Sequence, residues 1–245
     1  MRGAAPGFPR SGGYMSVFAD TLRFRLEEAG IPFCEEQIGL CERYFALVAE
    51  ANTRFNLTRI AGEKEAAERH FADAAMLLKF CRIPRGARVI DVGAGAGFPG
   101  IPVKIFRPDI ELTLLDSAGK KTDFIKKAAG ALHIEAHAVC GRAEEAGRGA
   151  FREKFDAALS RAVAPLGILL ELCAPLVRVG GVVAAWKGAS YPEELERSRG
   201  ALKTLGCDVS GVFPVGEGAI ILINKQKAAP DLYPRRYARI KSSPL

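Results

Sequence analysis

The fold is decided by a short apolar run that passes into a glycine-rich loop, Arg88-Val89-Ile90-Asp91-Val92-Gly93-Ala94-Gly95-Ala96-Gly97-Phe98-Pro99-Gly100. The run 88–92 has the composition of a buried strand, and the glycines end it. Glycines at the carboxyl end of such a strand let the backbone approach a ligand closely. This stretch therefore predicts a ligand-binding loop at the edge of an open α/β sheet.

Beyond this loop, strand-like and helix-like runs alternate. Strands are expected near 87–92, 111–116, 135–140, 155–160, 180–187, 208–214 and 218–224, with helices in the gaps. Alternation of this kind predicts parallel strands joined by right-handed crossovers. Only Val215-Gly216-Glu217 separates the last two strands, which is too short for a crossover helix and predicts an antiparallel hairpin. The expected fold is α/β and Rossmann-like, with a mostly parallel seven-stranded sheet that ends in a hairpin, as in class I methyltransferases.

The first third of the chain predicts helices instead, because apolar residues recur there at helical spacing. These helices are expected over about 16–29, 35–51 and 64–81. Met15 is a candidate start, since the helical pattern begins directly after it. The expected organisation is a disordered leader over 1–14, a helical extension over 15–83, a methyltransferase domain over 84–226 and a basic tail over 227–245.

The charge of the chain favours a polyanionic partner. Its 245 residues carry a formal net charge of +7, with a hydrophobic fraction of 49%, enough to bury a sizeable core. The last 21 residues hold six Lys or Arg against a single acidic residue, Asp231, and so contribute +5 of the excess. A basic excess concentrated in this way is typical of nucleic-acid binding.

Cysteine use and hydropathy indicate the compartment. None of the six cysteines forms a C-x-x-C pair, which predicts free thiols in a reducing compartment and no zinc site. No apolar run reaches transmembrane length, and the first residues lack the apolar stretch of a secretory signal. We expect a cytoplasmic protein, monomeric, without a metal and without membrane contact.

The glycine loop also allows a dinucleotide, because Gly95, Gly97 and Gly100 satisfy G-x-G-x-x-G. An NAD- or FAD-dependent oxidoreductase is therefore an alternative. The register opposes it, since its first glycine lies two residues beyond the apparent strand end at Gly93. Pro99 and Pro102 would supply no amide donor to a pyrophosphate. Finally, Asp91 repels phosphate, whereas it suits the cationic amino group of methionine.

The ends of the next three expected strands supply further candidates. Asp116, followed by Ser117, can accept hydrogen bonds from both ribose hydroxyls of an adenosine-bearing cofactor, and both residues are also good helix caps. Ala143 and Glu144 follow the third strand, where a methyltransferase borders the adenine ring. Arg161 ends the fourth strand, where cofactor and acceptor meet, and an arginine there can hold a methionine carboxylate or an RNA phosphate.

Other polar residues are candidates for the acceptor side. His70 and Asp73 share a helix face, where they either position the helices on the core or act on the acceptor. Asn56 either turns the chain between two helices or lines the acceptor cleft. Lys187 ends the apolar fifth strand, and a charge there needs a partner or a ligand. We hypothesise that Lys187 contacts an RNA phosphate or the acceptor base.

Taken in order, these motifs resemble the glucose-inhibited division protein B (RsmG) family of bacterial 16S ribosomal RNA guanine-N7 methyltransferases. The resemblance runs from about Ala19 to the C-terminus. It rests on Phe55-Asn56-Leu57-Thr58, Arg69-His70 with Asp73, Asp91–Pro102, Leu115–Lys121, Arg142-Ala143-Glu144, Ser160-Arg161-Ala162 and Lys187-Gly188. The family often has Ser or Thr where Ala94 stands, and its basic tail is matched by charge more than by pattern over 234–245.

The resemblance implies a fold, a cofactor and a reaction. The cofactor is S-adenosylmethionine, and residues matching Gly93, Phe98, Ala143, Glu144 and Arg161 line its site. To these we add Gly95, Gly97, Asp116 and Ser117 as cofactor residues. On the acceptor side we expect Arg161, Lys187, Asp73, Asn56 and His70. The substrate implied is N7 of a guanosine in an unpaired loop of 16S ribosomal RNA in the small ribosomal subunit.

Two further alternatives remain open from the sequence. One is a methyltransferase that acts on another RNA, a protein or a small molecule. The other is an RNA-binding module without catalysis, against which the intact glycine loop, Asp116 and Arg161 argue.

Overall fold

The computed structural model describes residues 16–60 and 62–245. The leader expected over 1–14 lies outside these described residues, as do Met15 and Ala61. The helices are α1 Val17–Ala29, α2 Glu35–Asn52, α3 Glu63–Ala66, α4 Asp73–Ala75, α5 Leu77–Phe80, α6 Gly100–Phe106, α7 Gly119–Ala131, α8 Ala143–Ala146, α9 Leu166–Cys173, α10 Tyr191–Arg197, α11 Arg199–Leu205 and α12 Tyr237–Ser242. The strands are β1 Arg88–Val92, β2 Glu111–Asp116, β3 Ala136–Cys140, β4 Phe155–Arg161, β5 Val177–Lys187, β6 Cys207–Val215 and β7 Gly218–Lys225.

The strands form one seven-stranded sheet in the order β3-β2-β1-β4-β5-β7-β6. Strands β1 to β5 are parallel to one another, and β7 is antiparallel to both β5 and β6. The expected fold class and the C-terminal hairpin are therefore confirmed. The order reverses at β1, so the glycine loop after β1 lies at the switch point where open sheets bind ligands.

Strand β5 begins earlier than expected, at Val177 rather than near 180. Gly180 and Gly181 make this part of the sequence look like a turn. In the structure the pairing of β4 with β5 instead shifts register there, between Phe155 and Ala157. Gly180 has a φ of +81°, and a side chain at Gly181 would lie 2.6 Å from the carbonyl oxygen of Asp156. The two glycines therefore carry an irregularity within the strand.

The third expected helix, over 64–81, is not continuous. It consists of α3, a π-helical turn over Ala67–Ala72, then α4 and α5. A π turn inserts one extra residue and rotates the next helical segment, and such turns are frequent at functional sites. Here the turn contains His70, which is only 5% exposed. The helix ends at Phe80, and Cys81 is extended.

The sheet is covered on both faces. One core joins the N-terminal helices to the face of the sheet that presents Val89, Leu112 and Leu159. The other joins α9 and α11 to the opposite face. Alternate residues of each strand thus enter different cores, as a pleated strand requires. The N-terminal helices share a core with the sheet, and so they are positioned relative to the glycine loop.

The basic tail is fixed to the second face. Arg235 forms an ion pair of 2.6 Å with Glu171 of α9, whose side chain is fully buried. Arg152 donates to the carbonyl oxygens of Tyr233 and Ala229, each at 2.7 Å. Ile240 of α12 is also fully buried. These contacts hold the tail beside α8 and α9.

The Glu171–Arg235 pair gives a stability prediction. Arg235→Met keeps the backbone amide that donates to Glu171 Oε1 at 2.9 Å but removes the charged partner of this buried carboxylate. Breaking a buried ion pair from one side costs about 3–5 kcal/mol. We expect the free energy of unfolding, measured in urea, to fall by this order. The double variant Arg235→Met/Glu171→Leu is expected to recover most of the loss, because both charges are gone. A loss below about 0.5 kcal/mol in the single variant, within the range of ordinary surface substitutions, would contradict this role for the pair.

Candidate active site

The glycine loop is closely packed by its neighbours. Gly93 has a φ of +73°, and a side chain there would overlap Val163 of the loop after β4. Gly97 has a φ of +86°, and a side chain there would overlap the hydroxyl of Tyr44. That hydroxyl donates to the carbonyl oxygen of Ala96 at 2.8 Å, so a residue of α2 holds the glycine loop in place. Both glycines are therefore required by conformation and by space.

The amides of the loop are already used within the protein. Gly95 donates to Asp116 Oδ2 at 2.9 Å, and Gly97 donates to the carbonyl oxygen of Ala94 at 2.7 Å. Gly100 donates to Asp91 Oδ2 at 2.8 Å. A dinucleotide loop needs its glycine amides for the pyrophosphate. The three glycines of G-x-G-x-x-G are thus engaged elsewhere, which disfavours the NAD or FAD alternative.

Asp91 is the most unusual carboxylate of the site. It is fully buried, and its Oδ1 is the one buried side-chain polar atom without a hydrogen-bond partner in residues 16–60 and 62–245. Burial raises the pKa of Asp91 to about 7, although the Gly100 amide and the charge of Arg161 lower it. An unpaired buried acceptor is costly unless a ligand completes it. A cationic group that donates a hydrogen bond to Oδ1 would remove this cost.

Asp116 joins the ends of β1 and β2. Its two carboxylate oxygens accept from the amides of Gly95 and Ala118, each at 2.9 Å. A carboxylate has about four acceptor positions, so both oxygens retain capacity for a ribose hydroxyl. Ser117, beside it, is exposed. The structure thus places the predicted pair at the rim of the loop.

The turn after β3 lies next to the tail. Glu144, at the start of α8, is 6% exposed and accepts from Arg142 Nε at 3.0 Å. The Arg142 guanidinium also lies 4.5 Å above the ring of Tyr237 in α12. Ala143 is half-buried between them. The predicted adenine side of the site is therefore bounded by the C-terminal helix.

Arg161, His70 and Phe98 come together from three separate parts of the chain. Arg161 donates to the carbonyl oxygen of Arg69 at 2.6 Å and also contacts His70 Nδ1. Its guanidinium lies 5.7 Å from the centre of the Phe98 ring, which stacks on His70 at 4.3 Å. The cation, the imidazole and the aromatic ring thus form one packed cluster.

His70 is uncharged in this cluster. Burial, together with Arg161 and Arg69, lowers its pKa to about 3. Because Arg161 donates to Nδ1, we assign the proton to Nε2, which lies 2.8 Å from Thr58 Oγ1. His70 therefore acts as an acceptor that orients Arg161.

Asp73 lies near the same cluster. Burial raises its pKa, against the lowering effect of Arg161, Arg69 and Arg25. Its carbonyl oxygen accepts from the indole of Trp186 at 3.1 Å, which ties α4 to β5. The structure thus brings Asp73 and Arg161 into electrostatic contact.

Asn56 does not turn the chain, as one of its two predicted roles required. That role belongs to Asn52, whose Oδ1 accepts from the amides of Leu57 and Thr58 at 2.8 and 2.9 Å. Asn52 ends α2 and can reach forward to these amides, whereas Asn56 lies in the loop with an exposed side chain. Its place in an acceptor cleft stays a prediction.

Lys187 has partners within the protein. Its side chain is 8% exposed, and its Nζ lies 2.6 Å from Glu194 Oε2 and 2.8 Å from the carbonyl oxygen of Ala164. Glu194 Oε2 also accepts from the amide of Leu166 at 2.8 Å. Lys187 and Glu194 together clamp the loop that carries Val163 onto Gly93.

Comparison with known proteins identifies the family. A sequence profile described as "rRNA small subunit methyltransferase G" matches residues 37–219. A relative named "Ribosomal RNA small subunit methyltransferase G" from Pelotomaculum thermopropionicum is 40% identical over 239 residues, which cover 94% of this chain and 100% of the relative. Another, from Caldanaerobacter subterraneus, is 42% identical over 212 residues, covering 83% and 88%. The chain belongs to the rRNA small subunit methyltransferase G family.

Solved structures support the fold of this family member. A SAM-dependent methyltransferase from Aquifex aeolicus superposes with a TM-score of 0.52 at 16% identity, covering 65% of this chain and 91% of that one. A branched-chain polyamine synthase from Thermus thermophilus superposes with a TM-score of 0.57 at 13% identity, covering 78% and 64%. At such identities the likeness concerns the fold alone.

The described residues contain neither a membrane-spanning helix nor a metal cluster. Within 16–60 and 62–245, no helix is long and apolar enough to cross a membrane. Nor does that part of the chain contain a group of three or more His, Cys, Asp or Glu that could hold a metal ion.

Some site residues could not be selected from the sequence of this family member. Tyr44, Thr58 and Glu194 were missed, since each looks like an ordinary helix or loop residue. Glu194 had a signal, because Lys187 needed a partner. The charge of Asp91 is evident from the sequence, but its unpaired oxygen is visible only in the fold.

The clamp in this methyltransferase family member gives a second prediction. Glu194→Ala removes the acceptor shared by Lys187 and Leu166, which frees the loop under Val163. We expect the Kd for S-adenosylmethionine to rise about tenfold, the effect of one charged hydrogen bond. Lys187→Met should give a similar loss, and the double variant little more, because coupled residues are not additive.

The same comparison tests the alternative role of Lys187. Isothermal titration with S-adenosylmethionine and a separate measurement of RNA binding distinguish a role in the clamp from a role as an RNA contact. If Lys187→Met weakened only RNA binding while Glu194→Ala changed nothing, the clamp would be wrong and Lys187 would be an RNA contact.

Proposed function

We propose that this chain transfers a methyl group from S-adenosylmethionine to N7 of a guanosine in 16S ribosomal RNA. The observation that carries the proposal is its membership of the rRNA small subunit methyltransferase G family over most of its length. The base and the atom follow from the family resemblance. The packing of the site supports the cofactor.

The donor site fits S-adenosylmethionine at three points. The unpaired Asp91 Oδ1 suits its ammonium group, and Arg161 suits its carboxylate. Asp116 retains acceptor capacity for the ribose, beside Ser117. When bound, the cofactor supplies an electrophilic methyl group on a sulfonium.

The acceptor reaction needs little from the protein beyond position. Guanine N7 carries a lone pair in the ring plane, so no general base has to remove a proton before attack. The protein must hold base and methyl group in line. His70 contributes indirectly by orienting Arg161, because it is neutral and its ring nitrogens are engaged by Thr58 and Arg161. The product base is cationic, and Asp73, one of two acidic residues that interact electrostatically with Arg161, can favour it.

The target is expected to be unpaired. N7 lies on the major-groove edge, and the deep, narrow major groove of an RNA helix does not admit side chains. The base must therefore stand in a loop or be extruded from a stack. Such RNA occurs in the small ribosomal subunit, so we expect the protein to act in the cytoplasm.

Methyl transfer from labelled S-adenosylmethionine tests the proposal. The substrate is small ribosomal subunits from cells that lack their own N7 methylation, and the modified nucleotide is then mapped. A single 7-methylguanosine in an unpaired loop is the expected result. Binding of S-adenosylmethionine without methyl transfer to any 16S RNA would contradict the ribosomal substrate. Asp91→Asn serves as a control with weakened binding of S-adenosylmethionine.

A further inference from the structure

The surface beside α8 contains a pocket lined by arginines. Its volume is about 520 Å³, and its walls are Arg148, Leu232, Tyr233, Arg235, Arg236 and Arg239. None of these six residues is acidic. We call this site the arginine pocket. It is separate from the glycine loop and from the Arg161 cluster.

Most of its guanidinium groups are not used by the fold. Arg236 and Arg239 are exposed, and neither side chain has a hydrogen bond or ion pair within residues 16–60 and 62–245. Arg148 is also exposed and uses only its Nε, which donates to the carbonyl oxygen of Glu144 at 3.1 Å. Arg235 differs, because Glu171 holds it. Three clustered cations thus lack an internal counter-charge within the described part of the chain.

The pocket is held in shape by the buried contacts of the tail. The Arg235–Glu171 pair and the two hydrogen bonds from Arg152 fix the chain on either side of Tyr233. Ile240 is buried and anchors α12. Because the backbone is already ordered, a ligand would not have to pay for ordering it.

The pocket also borders the donor site. Arg148 is bonded to Glu144, and Arg142 connects Glu144 to Tyr237 of α12. Glu144 lies on the predicted adenine side of the cofactor. A ligand in the arginine pocket would therefore lie one short helix, α8, away from that cofactor.

We propose that the arginine pocket binds the phosphodiester backbone of the RNA substrate next to the methylated nucleotide. This inference rests on the proposed function. Arginine favours phosphate because its planar guanidinium can donate two parallel hydrogen bonds. Tyr233 and the 68% exposed Leu232 add an apolar wall on which a base can stack. Phosphate and base together match single-stranded RNA.

The test is the double variant Arg236→Gln/Arg239→Gln. Its matched control is Arg82→Gln/Arg85→Gln, which removes the same charge from two exposed arginines just before β1, at the amino end of that strand. Binding to a single-stranded RNA of 16S sequence is measured against salt concentration. Methyl transfer to small subunits and the Kd for S-adenosylmethionine are measured in parallel.

The pocket variant should bind RNA about tenfold more weakly. The slope of log K against log salt should fall by about 1.4, which is about 0.7 for each of the two lost contacts to a single strand. Its kcat/KM on subunits should fall similarly, with donor affinity and urea midpoint unchanged. The control should match the wild-type protein. An unchanged salt slope would overturn the proposal, as would a defect on whole subunits that free RNA does not show, which would assign the pocket to a ribosomal protein. Absence of RNA methylation by the wild-type protein would instead contradict the proposed function.

Discussion

Replacing Asp91 by asparagine is expected to weaken the binding of S-adenosylmethionine by about ten- to a hundredfold, as loss of a hydrogen bond to a charged group predicts. The carboxamide oxygen of the substituted side chain can still accept from Gly100, as Asp91 Oδ2 does at 2.8 Å. An NH₂ group then stands where the unpaired Oδ1 was, and this group repels an ammonium. Isothermal titration at pH 7.5 measures the loss.

The pH dependence of the same variant is a sharper result. Burial raises the pKa of Asp91 to about 7, so the carboxyl is largely protonated below that pH. Donor affinity in the wild-type protein should therefore fall about tenfold per pH unit below pH 7, whereas Asp91→Asn should show little of this slope. Equal slopes in both proteins would mean that Asp91 does not meet the ammonium group.

Asp91→Asn should raise the stability of the folded protein, although it weakens the binding of S-adenosylmethionine. A group with a raised pKa in the folded state binds its proton more tightly there than in the unfolded chain. Its contribution is present below the unfolded value near 4 and is lost as pH rises through about 7. Urea unfolding without donor should thus show Asp91→Asn gaining stability relative to wild type between pH 5 and pH 8. Loss of function with gain of stability would identify a residue kept for binding.

The second large effect is expected at Arg161. Arg161→Lys cannot contact the Arg69 carbonyl, His70 Nδ1 and the Phe98 face together, because an ammonium lacks the planar fork of a guanidinium. Two charged hydrogen bonds are worth about 3–6 kcal/mol, so kcat/KM should fall by at least about a hundredfold. Steady-state methyl transfer to small subunits measures it.

A control and a positioning variant complete the Arg161 experiment. Arg54→Gln removes an exposed arginine paired only with Glu50 in the same helical region, and it should leave kcat/KM within about twofold. His70→Gln keeps an acceptor near Arg161 but loses the stack on Phe98, so it should fall between the two. Wild-type rates in Arg161→Lys would remove Arg161 from the site.

The sheet could be predicted because its information is local. Apolar runs, glycines and the three-residue gap at Val215-Gly216-Glu217 determine strands, loop and hairpin within short windows. The break in the third helix could not, because the π turn lies where His70 and Phe71 pack against Phe98, which is distant in sequence. Periodicity alone predicts a regular helix there.

The sequence selects candidate site residues at the ends of strands and does not select residues whose partners come from distant parts of the chain. Asp116 and Arg161 follow from their strands. Which of Asn52 and Asn56 stabilises the turn after α2 does not follow from the sequence. Both lie close to that turn, and only the path of the chain decides between them. Lys187 is a third case, since its need for a partner was evident but the partner, Glu194, follows from the docking of α10.

The buried ion pair of Arg235 with Glu171 has a consequence for protein synthesis. Every strand of the sheet precedes Arg235, so a chain interrupted before this residue contains the whole sheet but carries an unpaired charge in its core. Such a chain would be marginally stable and exposed to proteases, which remove partly unfolded proteins. The stability of the sheet is thus conditional on translation through Arg235, so that shorter products do not persist to compete for S-adenosylmethionine.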